Sequence, residues 1–564
     1  MGPEGDLVHG KWLPIVPTDG AACEASLLEV LTAPESVRRL SLPTPTMVPA
    51  LLRQVLLPVV LDALGVPRTI KEWRERFQRG RFSKAEVEQL TSYLGPSRYG
   101  DHFLLFPTTS ARPFAQAGGL TARTGETKPS TLLIPSIATG NNVPLFSAFS
   151  EADDLALTPA QAALWLLHAQ CWDTAAIKTG AVGDPQAAKG NKTTGNPTGP
   201  LGQFGVVMPT GRTLYETLVL NTPILPGGLD SADRPQWAGS ERLRTAGEMD
   251  PAGPEWSVRS AHGLLDLLTF QSRRIRLIPC QTPTGLRVRQ VVVCAGDRLT
   301  FTPAIDPHAT WNHTVKPKAG EPPLRPRRHS SARASWQGLN ALLALTASAD
   351  SDGPSTSALL RQAGELRAEG ALPVDYPLGV EIYGLEYGNQ SAVVENAIAD
   401  AIPLPVSSLV SEDTPLRQAV LDCVEQADQV GRALDRLHAD LRRAAGGDPL
   451  PRDKGEAASV RFLHGVDRSM RRLLAGLRTA GDNPELVERG QHAWEKSLRR
   501  DALDEAHSLL AATPPRAAVG RIIKVNGKET TFRSGSAEGA FRKSLLEILQ
   551  RVPEGRSLNE KEAA

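Results

Sequence analysis

The strongest constraint in this 564-residue sequence is a set of four amphipathic stretches in its last third. Apolar residues recur in each at helical spacing. Leu416, Val420, Val424, Ala427, Leu434, Leu437 and Leu441 mark the first, and Val460, Leu463, Val466, Met470, Leu473, Leu474 and Leu477 the second. Leu486, Val487, Trp494, Leu498, Leu503, Ala506 and Leu510 mark the third, and Phe541, Leu545, Ile548 and Leu549 the fourth. A single amphipathic helix cannot bury its own apolar face. A C-terminal four-helix bundle over residues 401–564 satisfies all four at once, with GGD-, GDNP- and NG-containing connections. The stretch from Val525 to Lys528 reads as a small hairpin between helices three and four.

Residues 1–400 have a different texture. Short apolar runs alternate with turn signals, which predicts a large mixed α/β N-terminal domain and, for the whole chain, the α+β class. Lys11–Val16 reads as a strand ending in a turn, and Trp73–Leu94 as an amphipathic stretch with Phe77, Phe82, Val87 and Leu90 on its apolar side. Ala50–Leu64 is apolar but broken by Arg53, Gln54, Pro58 and Asp62, which predicts a buried helix and not a membrane span. Thr158 before Pro159 forms a helix start, the proline at the first helical position. Gly180–Gly202 reads as a long loop. Leu286–Phe301 reads as a hairpin with Ala295-Gly296-Asp297 at its tip. Lys316–Arg333 reads as an exposed basic loop, and Val380–Tyr387 as a strand running into the turn Gly388–Ser391.

Charge narrows the function classes. The 63 Lys+Arg nearly cancel the 62 Asp+Glu, so any nucleic-acid contact must come from local patches. Five scattered cysteines, with no C-x-x-C pair, suit a reducing cytoplasmic setting and no zinc knuckle. The enzyme motifs fail one by one. Gly183–Thr193 lacks the spacing of a phosphate loop. Lys178-Thr179-Gly180 matches one element of the serine β-lactamase set, but no S-x-x-K supplies its nucleophile, and G-x-S-x-G is absent. Asp306, His308 and His313 lack the H-E-x-x-H spacing of a metal site.

Three segments carry chemistry suited to nucleic acid. Gln271–Arg276 (QSRRIR), if extended, puts Arg273 opposite Arg274 and Arg276, as phosphate contacts or as strand arginines paired with carboxylates. Arg325, Arg327, Arg328, His329 and Arg333 form the densest basic cluster, either a source of sequence-blind, salt-dependent affinity or a solvated charge run. The turn Gly388-Asn389-Gln390-Ser391 offers amide side chains that hydrogen-bond base edges or intrude between base pairs, or is simply a turn.

Read in order, several segments resemble the CasA family, the large subunits of the type I-E CRISPR surveillance complex, Cascade. They are AALWLLHAQCWDTAAIKTGAVGDP at Ala162–Pro185, KWLPIV at Lys11–Val16, RRLSLPTPTMVPALLR at Arg38–Arg53, ARPFAQ at Ala111–Gln116, TGNNVPLF at Thr139–Phe146, LLTFQSRRIRL at Leu267–Leu277 and GNQSA at Gly388–Ala392. The resemblance implies a non-catalytic subunit at the 5′ end of a CRISPR RNA. Such a subunit inspects double-stranded target DNA for a protospacer-adjacent motif, opens the duplex for R-loop formation and receives a helicase-nuclease. It implies backbone, small and handle-binding partner subunits, no cofactor and no membrane. Residue by residue, the family's wedge falls on Asn389 and Gln390. Its minor-groove loop falls on Thr174, Ala175, Ala176 and Lys178, which here lacks the family's glycines. A basic finger falls at Arg298, and a mobile loop near the guide RNA and motif at Asn141, Asn142 and Phe146. Of a cysteine cluster carried by some members, only Cys280 and Cys294 remain, which predicts no zinc. Two other readings stay open: a nuclease built on Asp306 and His308, and a structural adaptor that never touches DNA.

Overall fold

A computed structural model of the chain describes residues 5–108, 113–139, 149–150, 153, 155–187, 190–238, 256–345, 352–449, 457–481, 483–525 and 528–551. The chain divides into two compact units. The first comprises Met1–Ser331, Ala344–Leu372 and Leu378–Ala401; the second comprises Ala332–Leu343, Pro373–Pro377 and Ile402–Ala564.

The second unit is the helical bundle, built on Pro415–Ala445, Ala458–Ala480, Pro484–Ala511 and Ser534–Ile548. Its helix ends follow the local chemistry. Thr414 and Asn483 cap the first and third helices ahead of a proline, and Gly446 closes the first in a left-handed conformation. The inward faces differ in detail from the periodicity. Phe462 is buried where Val460 stands 45% exposed, and Ala502 and Leu509 turn inward in the third helix, which leaves Leu486 exposed. The fully buried carboxylate of Glu495 accepts from Gln426 Nε2 at 2.6 Å, Arg551 N at 2.7 Å and Arg551 Nη1 at 2.9 Å. A small antiparallel hairpin, Arg521–Val525 with Lys528–Phe532, precedes the fourth helix.

The first unit is mixed, as the alternating runs predict. Leu13–Pro17 forms the centre of a three-stranded sheet between Cys23–Ala25 and Val37–Leu40. Trp73–Leu94 is two helices, Ile70–Arg79 and Lys84–Tyr93. Gly80 in the left-handed region ends one, and the Ser83–Glu86 capping box starts the next. Met47–Leu64 has a mean hydropathy of 1.7, enough in length and composition to cross a membrane, yet 78% of it is buried inside the protein. The long hairpin pairs Arg273–Thr282 with Gly285–Ala295, so its tip is Pro283-Thr284 and not Ala295-Gly296-Asp297. Arg273–Arg276 of QSRRIR begin the first strand of that hairpin. The supposed basic loop contains a strand, Leu324–Pro326, paired with Trp311–His313. Cys280 faces Arg287 and Cys294 faces Arg274 in the register, at separate levels of the hairpin.

The polar residues of the apolar helix have a specific use. Arg53 sits where the helix widens to π geometry over Leu52–Leu56. Its guanidinium grips Asp306 at 2.8 and 2.7 Å and donates to His308 Nδ1 at 2.7 Å, all three side chains being buried. His308 therefore carries its proton on Nε2, which donates to Asn221 Oδ1 at 3.0 Å. Burial works against the Asp306 carboxylate, and Arg53 more than offsets it, holding its pKa below the ordinary value.

Burial also lowers the pKa of His308, and that of the equally buried His168, to about 3. A histidine with a depressed folded pKa contributes stability that is complete above its unfolded value of about 6.5 and is lost as pH falls toward the folded value. The thermal stability of the full chain is expected to fall between pH 6 and pH 5. The limiting slope is about 1.4 kcal/mol per pH unit for each imidazole. A flat melting temperature across that range would contradict neutral burial of both rings.

Candidate nucleic-acid interface

The helix Pro159–Trp172 positions the first half of the site. Its start is the capping box expected at Thr158: Thr158 Oγ1 accepts from Gln161 N at 3.2 Å, and Gln161 Oε1 accepts from Thr158 N at 2.9 Å. Its far end delivers the chain to Asp173 and the loop Thr174–Lys178.

That loop is held by an arginine from a distant strand. Arg273 donates from Nε to Asp173 Oδ2 at 2.5 Å and from Nη2 to the carbonyls of Thr174, at 3.0 Å, and Pro197, at 2.7 Å. Lys178 Nζ reaches the same Asp173 oxygen at 2.6 Å, its side chain only 10% exposed. Burial is the largest influence on both groups. It lowers the pKa of Lys178, whereas at Asp173 the two cations overcome it and hold the carboxyl below its usual range. Gly199 packs directly on the Cys171 and Trp172 backbone, where no Cβ fits, and its N–H meets Asp173 O at 2.8 Å. None of Thr174 to Lys178 has a positive φ. The loop therefore takes alanine at Ala175 and Ala176 without backbone strain.

The second half is the tip of another hairpin, whose strands are Gly379–Gly388 and Val393–Pro403. The strand predicted at Val380–Tyr387 lies within the first and pairs with Val206–Thr210 through Gly379–Tyr383. At the tip, Gln390 (φ 57°, ψ 27°) and Ser391 (φ 57°) are consecutive non-glycine residues in the left-handed region. This conformation costs about 1–2 kcal/mol per residue. Asn389 and Gln390 are exposed.

The structure brings these two candidate segments together. Ala175 N–H donates to Ser391 O at 2.8 Å, and Tyr387 Oη donates to Trp172 O at 2.7 Å. Arg298 joins through Asn196. Arg298 Nη2 donates to Asn196 Oδ1 at 2.9 Å, and Asn196 Nδ2 donates to Ala176 O at 3.2 Å. Arg298 also donates to Thr194 O at 2.8 Å, and its guanidinium stacks 3.8 Å from the Trp256 ring. It stands just beyond the end of the long hairpin opposite Pro283-Thr284, so the basic residue is not at a hairpin tip.

The remaining candidates are dispersed. Arg274 pairs with Asp184 at 2.9 Å, so both QSRRIR arginines at its centre are buried against carboxylates. Arg325 pairs with Glu321, Arg327 donates to Asn312 Oδ1 at 2.6 Å, and Arg328, exposed, donates to Gln203 O at 3.2 Å. Arg333 belongs to the second unit and lies 3.5 Å from Asp428. Asn141, Asn142 and Phe146 lie outside the described residues. Asp306 and His308 are consumed by Arg53, and among the described residues no three His, Cys, Asp or Glu side chains gather at metal-binding distance. The sequence reading offers carboxylate pairing for Arg273 but not its clamp on the Thr174 and Pro197 carbonyls, and it misses Tyr387 as a tether. Their partners lie 100 and 215 residues away, so no local pattern marks them.

Comparison with known proteins identifies the family and the fold. Residues 6–504 match the family described as CRISPR-associated protein Cse1. A CRISPR-associated protein CasA/Cse1 of Thermus thermophilus is 26% identical over 464 residues, covering 80% of each chain. The crystal structure of Thermobifida fusca Cse1 superposes with a TM-score of 0.79 at 30% identity, covering 97% of this chain and 98% of that one. Cse1 from Acidimicrobium ferrooxidans gives a TM-score of 0.76 at 27% identity, with the same coverage.

Proposed function

The chain belongs to the CRISPR-associated protein Cse1 (CasA) family, the large subunit of CRISPR surveillance complexes, and on that premise we propose that it reads the protospacer-adjacent motif in duplex DNA and starts strand opening. The observation that carries this reading is the contact between the exposed Asn389–Gln390 tip and the Thr174–Lys178 loop. A loop held against a groove and a rigid tip beside it form a reader and a wedge on one surface. Separating base pairs costs a few kcal/mol per step, and a tip already fixed in its conformation spends none of its binding energy on ordering. The protein performs no chemical step in this reading. Sequence beyond the motif is read by the guide RNA. The partners are the CRISPR RNA, the other Cascade subunits and a helicase-nuclease recruited once the duplex is open. The free cysteines fit a cytoplasmic setting.

The test is titration of the guide-RNA complex, with and without this chain, against duplexes carrying or lacking the motif at fixed salt. Omission is expected to abolish motif-dependent binding. Gln390→Ala is expected to slow R-loop formation about tenfold or more, the equivalent of about 1.4 kcal/mol. The adaptor reading draws on one observation: Lys178, Arg298, Arg325 and Arg327 are already engaged within the protein. Motif-dependent binding that survives omission of the chain would establish the adaptor instead. Arg328→Glu, at an exposed position, is expected to weaken binding to all duplexes alike and to reduce the salt slope by about one.

A further inference from the structure

The antiparallel hairpin of the second unit, Arg521–Val525 with Lys528–Phe532, is a sheet of two strands. It lies beyond residues 6–504, so the family match assigns it nothing. Its two faces differ. On one, Ile523 and Phe532 are half-buried, and the Arg443 guanidinium of the first bundle helix stands 5.2 Å from the Phe532 ring. Arg521 shares that face and lies over Gly446, at the carbonyl end of the same helix, where a cation is favoured. Side chains alternate along extended chain, and Arg533 continues the extension at φ −135° and ψ 148°. Ile522, Lys524, Thr531 and Arg533 therefore occupy the opposite face.

That outer face is bare and basic. Ile522 is 69% exposed, and Val519, in the short helical turn before the strand, is 78% exposed. Arg516, Lys524 and Arg533 are exposed too, and among the described residues none of their side chains forms an ion pair or a hydrogen bond. Arg273, Arg274, Arg298 and Arg325 are by contrast engaged within the fold. From Arg516 to Arg533 the sequence holds five cations and a single carboxylate, Glu529, which stands opposite Lys524 in the register.

We propose that this outer face binds double-stranded DNA through its phosphates, whatever the sequence. Paired strands stand about 4.8 Å apart, and the major groove, about 12 Å wide, admits a two-stranded ribbon. Arg516, Lys524 and Arg533 then meet phosphates along the groove walls, and each contact releases counterions. Ile522 and Thr531 face the groove floor without the bidentate geometry that selects a base. The choice of DNA over another polyanion rests on the reading of the chain as a DNA-inspecting subunit. The surface itself uses neither Asn389 and Gln390 nor the Thr174–Lys178 loop.

The experiment is fluorescence anisotropy of the full-length protein with a labelled duplex that lacks the motif, over a series of salt concentrations. The wild-type affinity is expected to fall linearly with salt on logarithmic axes. Arg516→Ala, Lys524→Ala and Arg533→Ala combined are expected to weaken binding about tenfold or more at low salt and to reduce the slope by about three. Gln390→Ala is expected to leave this motif-free binding unchanged, so failure of the ribbon and failure of the motif reader are separate results. The control combines Lys11→Ala, Lys71→Ala and Lys84→Ala, three exposed cations elsewhere, and is expected to bind as wild type does. Unchanged binding by the ribbon variant would leave its cations as guards against edge-to-edge strand pairing and overturn the proposal. An equal loss in the control, or no salt-dependent binding by the wild type, would overturn it as well. Competition by single-stranded DNA as effective as by the duplex would refute the groove geometry, and equal competition by polyglutamate would assign the face to an acidic protein instead.

Discussion

Arg53→Met is expected to destabilise the first unit by about 3–5 kcal/mol, the cost of leaving a buried carboxylate without its partner. Methionine fills the helical position with similar length but donates nothing, so Asp306 loses both bidentate bonds and His308 Nδ1 loses its donor. Asp306 is then expected to take up a proton, because burial alone raises its pKa. Denaturant unfolding of the full chain, followed at the transition of the first unit, measures the loss. Adding Asp306→Ala to Arg53→Met is expected to recover part of it, since the stranded charge is removed. An unfolding midpoint equal to wild type in the single variant would show that the network contributes no stability. These residues hold a helix, a loop and the Asn221 amide together, which argues against the nuclease once read from Asp306 and His308.

Arg273→Ala is expected to cost about 3 kcal/mol or more and to loosen the Thr174–Lys178 loop. The substitution removes three anchors of that loop: the Asp173 carboxylate and the carbonyls of Thr174 and Pro197. Lys178 remains on Asp173, so the ion pair persists while the backbone is released. Hydrogen exchange is expected to rise at Ala175, whose N–H otherwise meets Ser391 O. Arg273→Lys keeps the charge but cannot address a carboxylate and two carbonyls from one planar group, so it is expected to restore little protection. In the assembled complex the motif-dependent binding of Arg273→Ala is expected to fall together with that of Gln390→Ala. Unaltered exchange at Ala175 would assign the loop's rigidity to other contacts.

What could be read from the sequence follows the range of the interactions involved. The bundle helices are legible because a helix repeats its signal every three or four residues, and the caps at Thr158 and Thr414 are legible because a cap is local. The phase of a stripe is less secure: Phe462 and Val460 are both apolar, and only packing decides which turns inward. The long hairpin was misplaced because Leu286–Phe301 contains a turn signal of its own, whereas Pro283-Thr284 lies between two runs that pair over ten residues of strand. For QSRRIR the sequence leaves two outcomes, phosphate contact or pairing with carboxylates, and the structure shows the second. QSRRIR and the Arg325–Arg333 cluster look alike as strings of charge, yet Arg273 and Arg274 are buried on carboxylates contributed by distant loops. Charge density along a chain does not reveal which charges are already neutralised within the fold.

The tie between the hairpin tip and the end of the Pro159–Trp172 helix has a mechanical consequence. A push on Gln390 along the strands has no slack segment to absorb it. Ser391 passes the load to Ala175 and Tyr387 passes it to Trp172, whose indole is itself anchored on Thr46 O at 2.9 Å. The tip therefore behaves as a strut braced on the protein's interior, stiff under compression and free to recoil only if those tethers break.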